Sequence, residues 1–225
     1  MTDAPPTVLI MARAPRRGQV RRALEPMLGP EGCVALQSAL ILQAVNWAKS
    51  ISDGVHVAHD PPDAGRDLRA LVGADPTLFP QNGEGISGRL ADAAARVYSR
   101  ASGPLLIVWP DLPQLRPDHA TAAIDDLRAG YNVVLGPVID GGFYLIGMPR
   151  PLPRLFALPE QTWRSPDVMA LAVAAARQSG SQVGLLRVER ALHRPADVRA
   201  ALADPLLPQP VGRVLKAYLR RSGVG

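Results

Sequence analysis

The chain has 225 residues, with 25 lysines and arginines against 20 acids, 47% hydrophobic residues and one cysteine. That length suits one large α/β domain or two small ones, with a real core, and the lone Cys33 excludes a disulfide framework or a zinc site built from several cysteines. The early apolar run 8–12 is too short for a signal segment, and no run approaches the ~18 apolar residues of a membrane span; the expectation is a cytoplasmic protein without membrane contacts.

Taken in chain order, residues 7–12 read as a buried strand, ended by Arg-Ala-Pro-Arg-Arg-Gly. Residues 31–50 carry Val34, Leu36, Leu40, Ile41, Val45 and Ala48 at helical spacing. A second short strand covers 54–58, a helix 63–72 and a very short strand 77–79. Residues 87–101 have the alanine-rich period of a helix, and 104–109 form a continuous apolar strand of the kind covered on both faces. A helix over 117–129 has proline in its first turn. Strands at 132–138 and 143–148 flank Asp140-Gly141-Gly142, a helix covers 165–178, and a last strand covers 183–188. Helices at 195–203 and 211–221 complete the chain. This alternation predicts a mostly parallel α/β sheet, made mixed by 143–148, which follows its predecessor too closely for a helical crossover. One domain is expected over 1–225, with its core at 7–203 and a basic tail at 204–225.

The charge is focused. Between Arg13 and Arg22 lie five arginines (Arg13, Arg16, Arg17, Arg21, Arg22) and no acid, so the formal excess of +5 can be assigned to that segment. A single focus suggests one anionic ligand such as a phosphate chain, whereas spread charge would suggest nucleic acid, and the segment has no aromatic residue for base stacking. The plain alternative is a solvated arginine-rich loop. In open α/β sheets ligands bind beyond the carboxyl ends of strands, and three such ends carry polar residues. After the first strand, Gly18 permits a close backbone turn, and Arg13, Arg17 and Arg21 offer forks for phosphate oxygens. Asp111, after Leu105-Leu106-Ile107-Val108-Trp109-Pro110, suits either a Mg²⁺ or Mn²⁺ ligand beside a diphosphate or a turn before Pro113. Asp140-Gly141-Gly142 reads as a tight hairpin turn that also lets a substrate approach the backbone. Gly83-Glu84-Gly85-Ile86-Ser87-Gly88 fits G-x-G-x-x-G, but the short, proline-broken stretch before it argues for a loop rather than a dinucleotide fingerprint. The four histidines (His56, His59, His119, His193) have no metal-ligand spacing; His56 reads as packing, and Cys33 as a small core residue.

Together these segments resemble the DUF2064 family, whose members are similar to glycosyltransferase-A proteins of the nucleotide-diphospho-sugar transferase superfamily. Residues 11–21, Met-Ala-Arg-Ala-Pro-Arg-Arg-Gly-Gln-Val-Arg, resemble the opening F-A-K-x-P-x-P-G-x-V-K-T-R-L. Asp111-Leu112-Pro113-Gln114-Leu115 resembles D-x-P-x-L. Residues 136–147, Gly-Pro-Val-Ile-Asp-Gly-Gly-Phe-Tyr-Leu-Ile-Gly, resemble G-P-A-x-D-G-G-Y-Y-L-I-G. Thr162-Trp163-Arg164-Ser165 and Pro195-Ala196-Asp197-Val198 stand where the family has W-S-T and D-T-P-E-D-L. The chain departs at Ala23 (an arginine), at Pro110 (often a serine), at Arg13 and Arg21 (lysines) and at His193 (an aspartate). The resemblance implies a single GT-A-like domain acting as a metal-dependent glycosyltransferase that moves a group from a nucleotide-sugar to a small acceptor. In that picture Arg13, Arg17, Gly18 and Arg21 bind the diphosphate, Asp111 and His193 hold a divalent cation, and Gly141 and Gly142 line the acceptor side. Asp140 is the candidate base there. The alternatives are guanylyltransferase-like nucleotidyl transfer and a degenerate member that binds nucleotide without catalysis.

Overall fold

The computed structural model describes residues 4–101, 103–163 and 165–221, so Arg164 of the Thr162–Ser165 segment and the last four residues of the expected tail lie outside the described residues. Among these, the strands are β1 (Thr7–Arg13), β2 (Gly54–Asp60), β3 (Thr77–Pro80), β4 (Leu105–Val108), β5 (Val133–Pro137), β6 (Phe143–Met148) and β7 (Val183–Leu185). The helices are α1 (Glu25–Ile51), α2 (Gly65–Val72), α3 (Gly85–Tyr98), α4 (Pro117–Arg128), α5 (Pro153–Phe156), α6 (Glu160–Trp163), α7 (Val168–Gln178), α8 (Pro195–Ala203) and α9 (Gln209–Arg221), with short 3₁₀ turns at Arg22–Leu24 and Pro62–Ala64. The strands join one mixed sheet in the order β3-β2-β1-β4-β6-β5-β7. β6 runs antiparallel to β4 and β5, and the other pairings are parallel.

Alternation along the central strands splits the core into two layers. Val8, Ile10, Leu106 and Val108 face α1, α2 and α4 through Ile41, Val45, Leu68 and Leu127. Leu9, Met11, Leu105 and Ile107 face α3 and α7 through Leu90, Val97, Val168 and Ala172. Both faces are covered, so these strands read as unbroken apolar runs.

The helix expected at 31–50 starts earlier, at Glu25, and passes a kink at Gly29 (φ 67°, ψ 168°) followed by Pro30. Glycine takes the left-handed φ there, and proline begins the next helical run with no N–H to lose. The extra turn is held by tertiary packing: Leu24, Leu28, Leu36 and Leu40 form a third cluster with Val198, Val211 and Leu215. The segment 209–221 is therefore no tail, since Val211 and Leu215 of α9 are fully buried, each worth about 2 kcal/mol of apolar burial. By length and composition, residues 22–51 are apolar enough to cross a membrane, but over half of the 18-residue stretch that meets this test is buried inside the protein. The strand expected over 183–188 ends at Leu185, and beyond it single contacts such as the Val138–Glu189 bridge keep the chain beside β5.

This topology positions the site. β1, β2, β3 and β4 are parallel, so Arg13, Asp60, Gln81 and Asp111 all emerge at one edge of the sheet. Because β6 is reversed, the turn between β5 and β6, which carries Asp140, opens onto the same edge.

Candidate functional site

A cavity of about 300 Å³ lies at this edge, lined among others by Arg13, Arg21, Arg22, Trp109, Asp111 and His193. A second, of about 170 Å³, adjoins it and shares Met11, Arg13 and Trp109.

The arginine cluster is split in space. Arg16 turns away to Asp63 and Asp67 at the start of α2, at 3.0 and 3.2 Å. Arg17, 68% exposed, pairs with Glu31 at 2.9 Å and does not line either cavity. Arg13 Nε lies 3.3 Å from Asp60, leaving its head at the junction of the two cavities. Arg22 faces the larger cavity and pairs with no acid among the described residues. The acids that neutralise the focus come from β2, α1 and α2, which sequence order hides. Gly18 adopts φ +67°, as the turn required.

Arg21 is a structural cation rather than an open phosphate fork. Its backbone sits in the left-handed region at φ 52°. Its side chain is 7% exposed. Its Nε donates to Gln37 Oε1 at 2.8 Å, Nη1 to the Leu192 carbonyl at 2.9 Å, and Nη2 to the Pro110 carbonyl at 2.7 Å and Asp111 Oδ1 at 2.6 Å. Four of its five N–H directions are thus taken by the protein. The Cys33 thiol in turn donates to the Arg21 carbonyl at 3.4 Å.

Asp111, Asp140 and His193 meet here. His193 Nδ1 lies 2.5 Å from Asp140 Oδ2, and Nε2 lies 3.4 Å from Asp111 Oδ2, so the imidazole stands between two carboxylates. Asp111 first, then Asp140, outweigh burial and raise the His193 pKa to about 9, so the ring is cationic at neutral pH. Burial alone would raise the Asp111 carboxyl, but Arg21 and His193 outweigh it and hold it well below the usual carboxylate range. Both Asp111 oxygens already face cations, Arg21 on one and His193 on the other. Among the described residues no group of three or more His, Cys, Asp or Glu side chains is disposed to hold a metal ion. The side chains as arranged therefore do not fit a resident divalent cation.

The Asp140-Gly141-Gly142 segment is the tight turn its sequence suggested, closed by Gly141 N to the Val138 carbonyl at 3.0 Å and Val138 N to the Gly142 carbonyl at 3.0 Å. The close approach at Gly141 is made by the chain itself: at φ +96°, a Cβ there would lie 1.9 Å from the Pro166 carbonyl oxygen. The space a side chain would take at Gly141 is thus filled by the Pro166 backbone. Gly142 meets Val138 and Asp140 instead.

Two supporting features were missed from sequence. Asp197 Oδ2 accepts from the backbone N–H of His193 (3.2 Å) and Arg194 (2.8 Å), fixing the segment that presents the imidazole. The motif Pro195-Ala196-Asp197 carried that signal, because an acid three residues into a helix can cap the residues before it. The second is a network around the buried His119, in which His119 Nε2 lies 2.9 Å from Glu189 Oε1 and Arg187 joins Glu189 to Asp118 at 2.6 and 2.9 Å. It fastens the segment leading to His193, and no spacing in the chain announces it.

A family model described as "Uncharacterized protein conserved in bacteria (DUF2064)" matches residues 40–163, more than half of the chain. No curated protein matches it. Among solved structures, a provisionally assigned nucleotide-diphospho-sugar transferase from Desulfovibrio desulfuricans G20 superposes with a TM-score of 0.84 at 21% identity, over 96% of this chain and 97% of its own. CMP:2-keto-3-deoxy-manno-octonic acid synthetase, complexed with CTP, gives 0.57 at 16% identity over 89% and 99%. Rv0371c from Mycobacterium tuberculosis H37Rv, in complex with manganese, gives 0.50 at 18% identity over 90% and 98%. At these identities the likeness establishes the fold, a single α/β domain of the nucleotide-sugar transferase type.

Proposed function

The chain belongs to the DUF2064 family, and we propose that it is a transferase that takes a nucleotide-activated donor into the cleft at the carboxyl ends of β1, β2 and β4. The observation that carries this reading is the pair of adjoining cavities joined at Arg13, one walled by arginines with Asp111 and His193, the other by polar and apolar groups suited to a ring. A nucleoside diphosphate has the same two-part form.

In this reading Arg13 and Arg22 bind the diphosphate. The Arg21 guanidinium fixes Asp111, and Asp111 and Asp140 hold His193 protonated, so the imidazolium stabilises charge that develops on the leaving phosphate. Glycosyl transfer breaks the bond between the anomeric carbon and the phosphate oxygen and forms one to an acceptor oxygen, whose proton passes to Asp140. The divalent cation implied by the resemblance has no ligand set in the arrangement described, so no step is routed through one.

A second reading, nucleotide binding without turnover, is favoured by one observation: Asp111 and Asp140 are already engaged by Arg21 and His193. A thermal-shift screen of nucleotides and nucleotide-sugars, each with Mg²⁺, Mn²⁺ or EDTA, tests both, since a ligand of the native state raises the midpoint by mass action. The expected result is a shift with one nucleotide-sugar that persists in EDTA. Incubation of that donor with candidate acceptors then separates the chemistries: nucleoside diphosphate marks glycosyl transfer, pyrophosphate from a nucleoside triphosphate marks nucleotidyl transfer, and neither marks a binding protein. No shift with any nucleotide overturns the proposal.

A further inference from the structure

The smaller cavity has a hydrogen-bonding pattern that says more about the donor. Met11 and Leu90 supply apolar lining, and the half-buried Trp109 lines both this cavity and the larger one. Gln81 enters from the end of β3, and its amide cannot turn over. Nε2 donates to the Ala58 carbonyl at 2.9 Å and approaches the Ala12 carbonyl at 3.5 Å, and a flipped amide would set oxygen against both. Oε1 is left as a fixed acceptor with no donor from among the described residues. In the same lining, Asp60 Oδ2 is shared by Arg13 Nε and Arg89 Nη1, both at 3.3 Å. One carboxylate is set against two guanidinium forks, so the cavity offers unspent donors together with a neutral side-chain acceptor.

Resting on the transferase reading above, we infer that this cavity selects a keto nucleobase, uracil or guanine, whose ring N–H is accepted by Gln81 Oε1 while its neighbouring carbonyl accepts from Arg89. A ring N–H beside a carbonyl is the complement of an acceptor beside a donor. Cytosine and adenine present an amino group where uracil and guanine present a carbonyl oxygen. Their amino group would face a guanidinium, and their ring nitrogen, an acceptor, would face Oε1. Donor against donor and acceptor against acceptor leave polar groups unpaired on both sides, a mismatch that discriminates more strongly than a change of shape. The preference departs from the fold neighbour described with CTP.

Isothermal titration with UDP, GDP, CDP and ADP, in Mg²⁺ and again in EDTA, tests the inference. UDP or GDP should bind at least about tenfold more tightly than CDP and ADP. In Arg89→Lys, which keeps the charge on Asp60 and loses the fork, that ratio should shrink to about threefold or less. Gln81→Ala should shrink it too, but Gln81 also ties β1 to β2, so the Arg89 variant carries the test. Equal binding of all four, tighter binding of CDP or ADP, or an Arg89→Lys ratio like the wild type overturns the keto selection and leaves the transferase reading standing. Binding by none of the four overturns that reading as well.

Discussion

At the scale of single residues, Arg21 is where sequence and structure part most instructively. Its position in an arginine run, after a glycine, points to phosphate; its burial and four internal acceptors make it the pivot that fixes Asp111 and the segment at Leu192. Removing it strands a half-buried carboxylate and two carbonyls. Arg21→Ala should therefore cost about 3 kcal/mol in urea unfolding, the loss expected when one partner of a buried pair is deleted. Arg21→Lys should recover less than half of that, since one ammonium cannot span four acceptors. A loss below 1 kcal/mol in Arg21→Ala would restore Arg21 to the open phosphate site. Asp111 and Asp140 were legible as candidates because each follows a strand, and His193 only through the family resemblance. Their meeting was not, because the imidazole and Asp140 are 53 residues apart and only the reversed β6 brings the turn to that edge.

Elements were read well where period and punctuation agreed. The 143–148 strand and the placing of α4 behind its first-turn proline came directly from pattern. Elements failed where packing decided: α1 reaches back to Glu25 because Leu24 and Leu28 have α9 to pack on, and α5 and α6 lie between 149 and 164, where no element was expected. The Gly83–Gly88 segment shows a different limit. A strand, loop and helix do follow one another there, yet the N-terminus of α3 is occupied by the protein, with Ile86 N–H donating to Glu160 Oε2 at 2.8 Å. Its glycines serve contact between two stretches of backbone: Gly83 has φ +104°, and a Cβ on it would lie 2.5 Å from the Gly88 carbonyl carbon. Gly83→Ala should lower stability by about 2 kcal/mol or more through strain and this clash. A loss under 0.5 kcal/mol in chemical unfolding would show that the loop opens freely.

For the molecule as a whole, the +5 excess that looked local is dispersed, because Asp60, Asp63, Asp67, Glu31 and Asp111 converge on the arginine segment from four other parts of the chain. What remains concentrated is the coupled cluster at the sheet edge, and it gives folding a pH dependence with a definite sign. His193 is raised to about 9 in the folded protein, against about 6.5 unfolded. Its contribution is complete below about pH 6.5 and is lost as pH climbs through 9. Asp111 is held below the carboxylate range, so its contribution is present above about pH 4 and is lost in more acid solution. Asp118 is likewise held low by Arg187, against the opposing effect of burial, but it is half exposed and adds little. Burial raises the Cys33 thiol to about 11, so the unfolded thiol ionises first and stability falls again above about pH 8.5. The urea midpoint should thus peak between about pH 4 and 6.5 and decline steadily toward 9. His193→Asn keeps a polar side chain without a titrating ring, so it should flatten the decline between 6.5 and 9 while leaving the fall above 9 that belongs to Cys33. A wild-type midpoint that rises over that interval, or an Asn variant with the same decline, would mean that His193 is neutral in the folded protein. The cleft would then lack the cation that the transferase reading places beside the leaving phosphate.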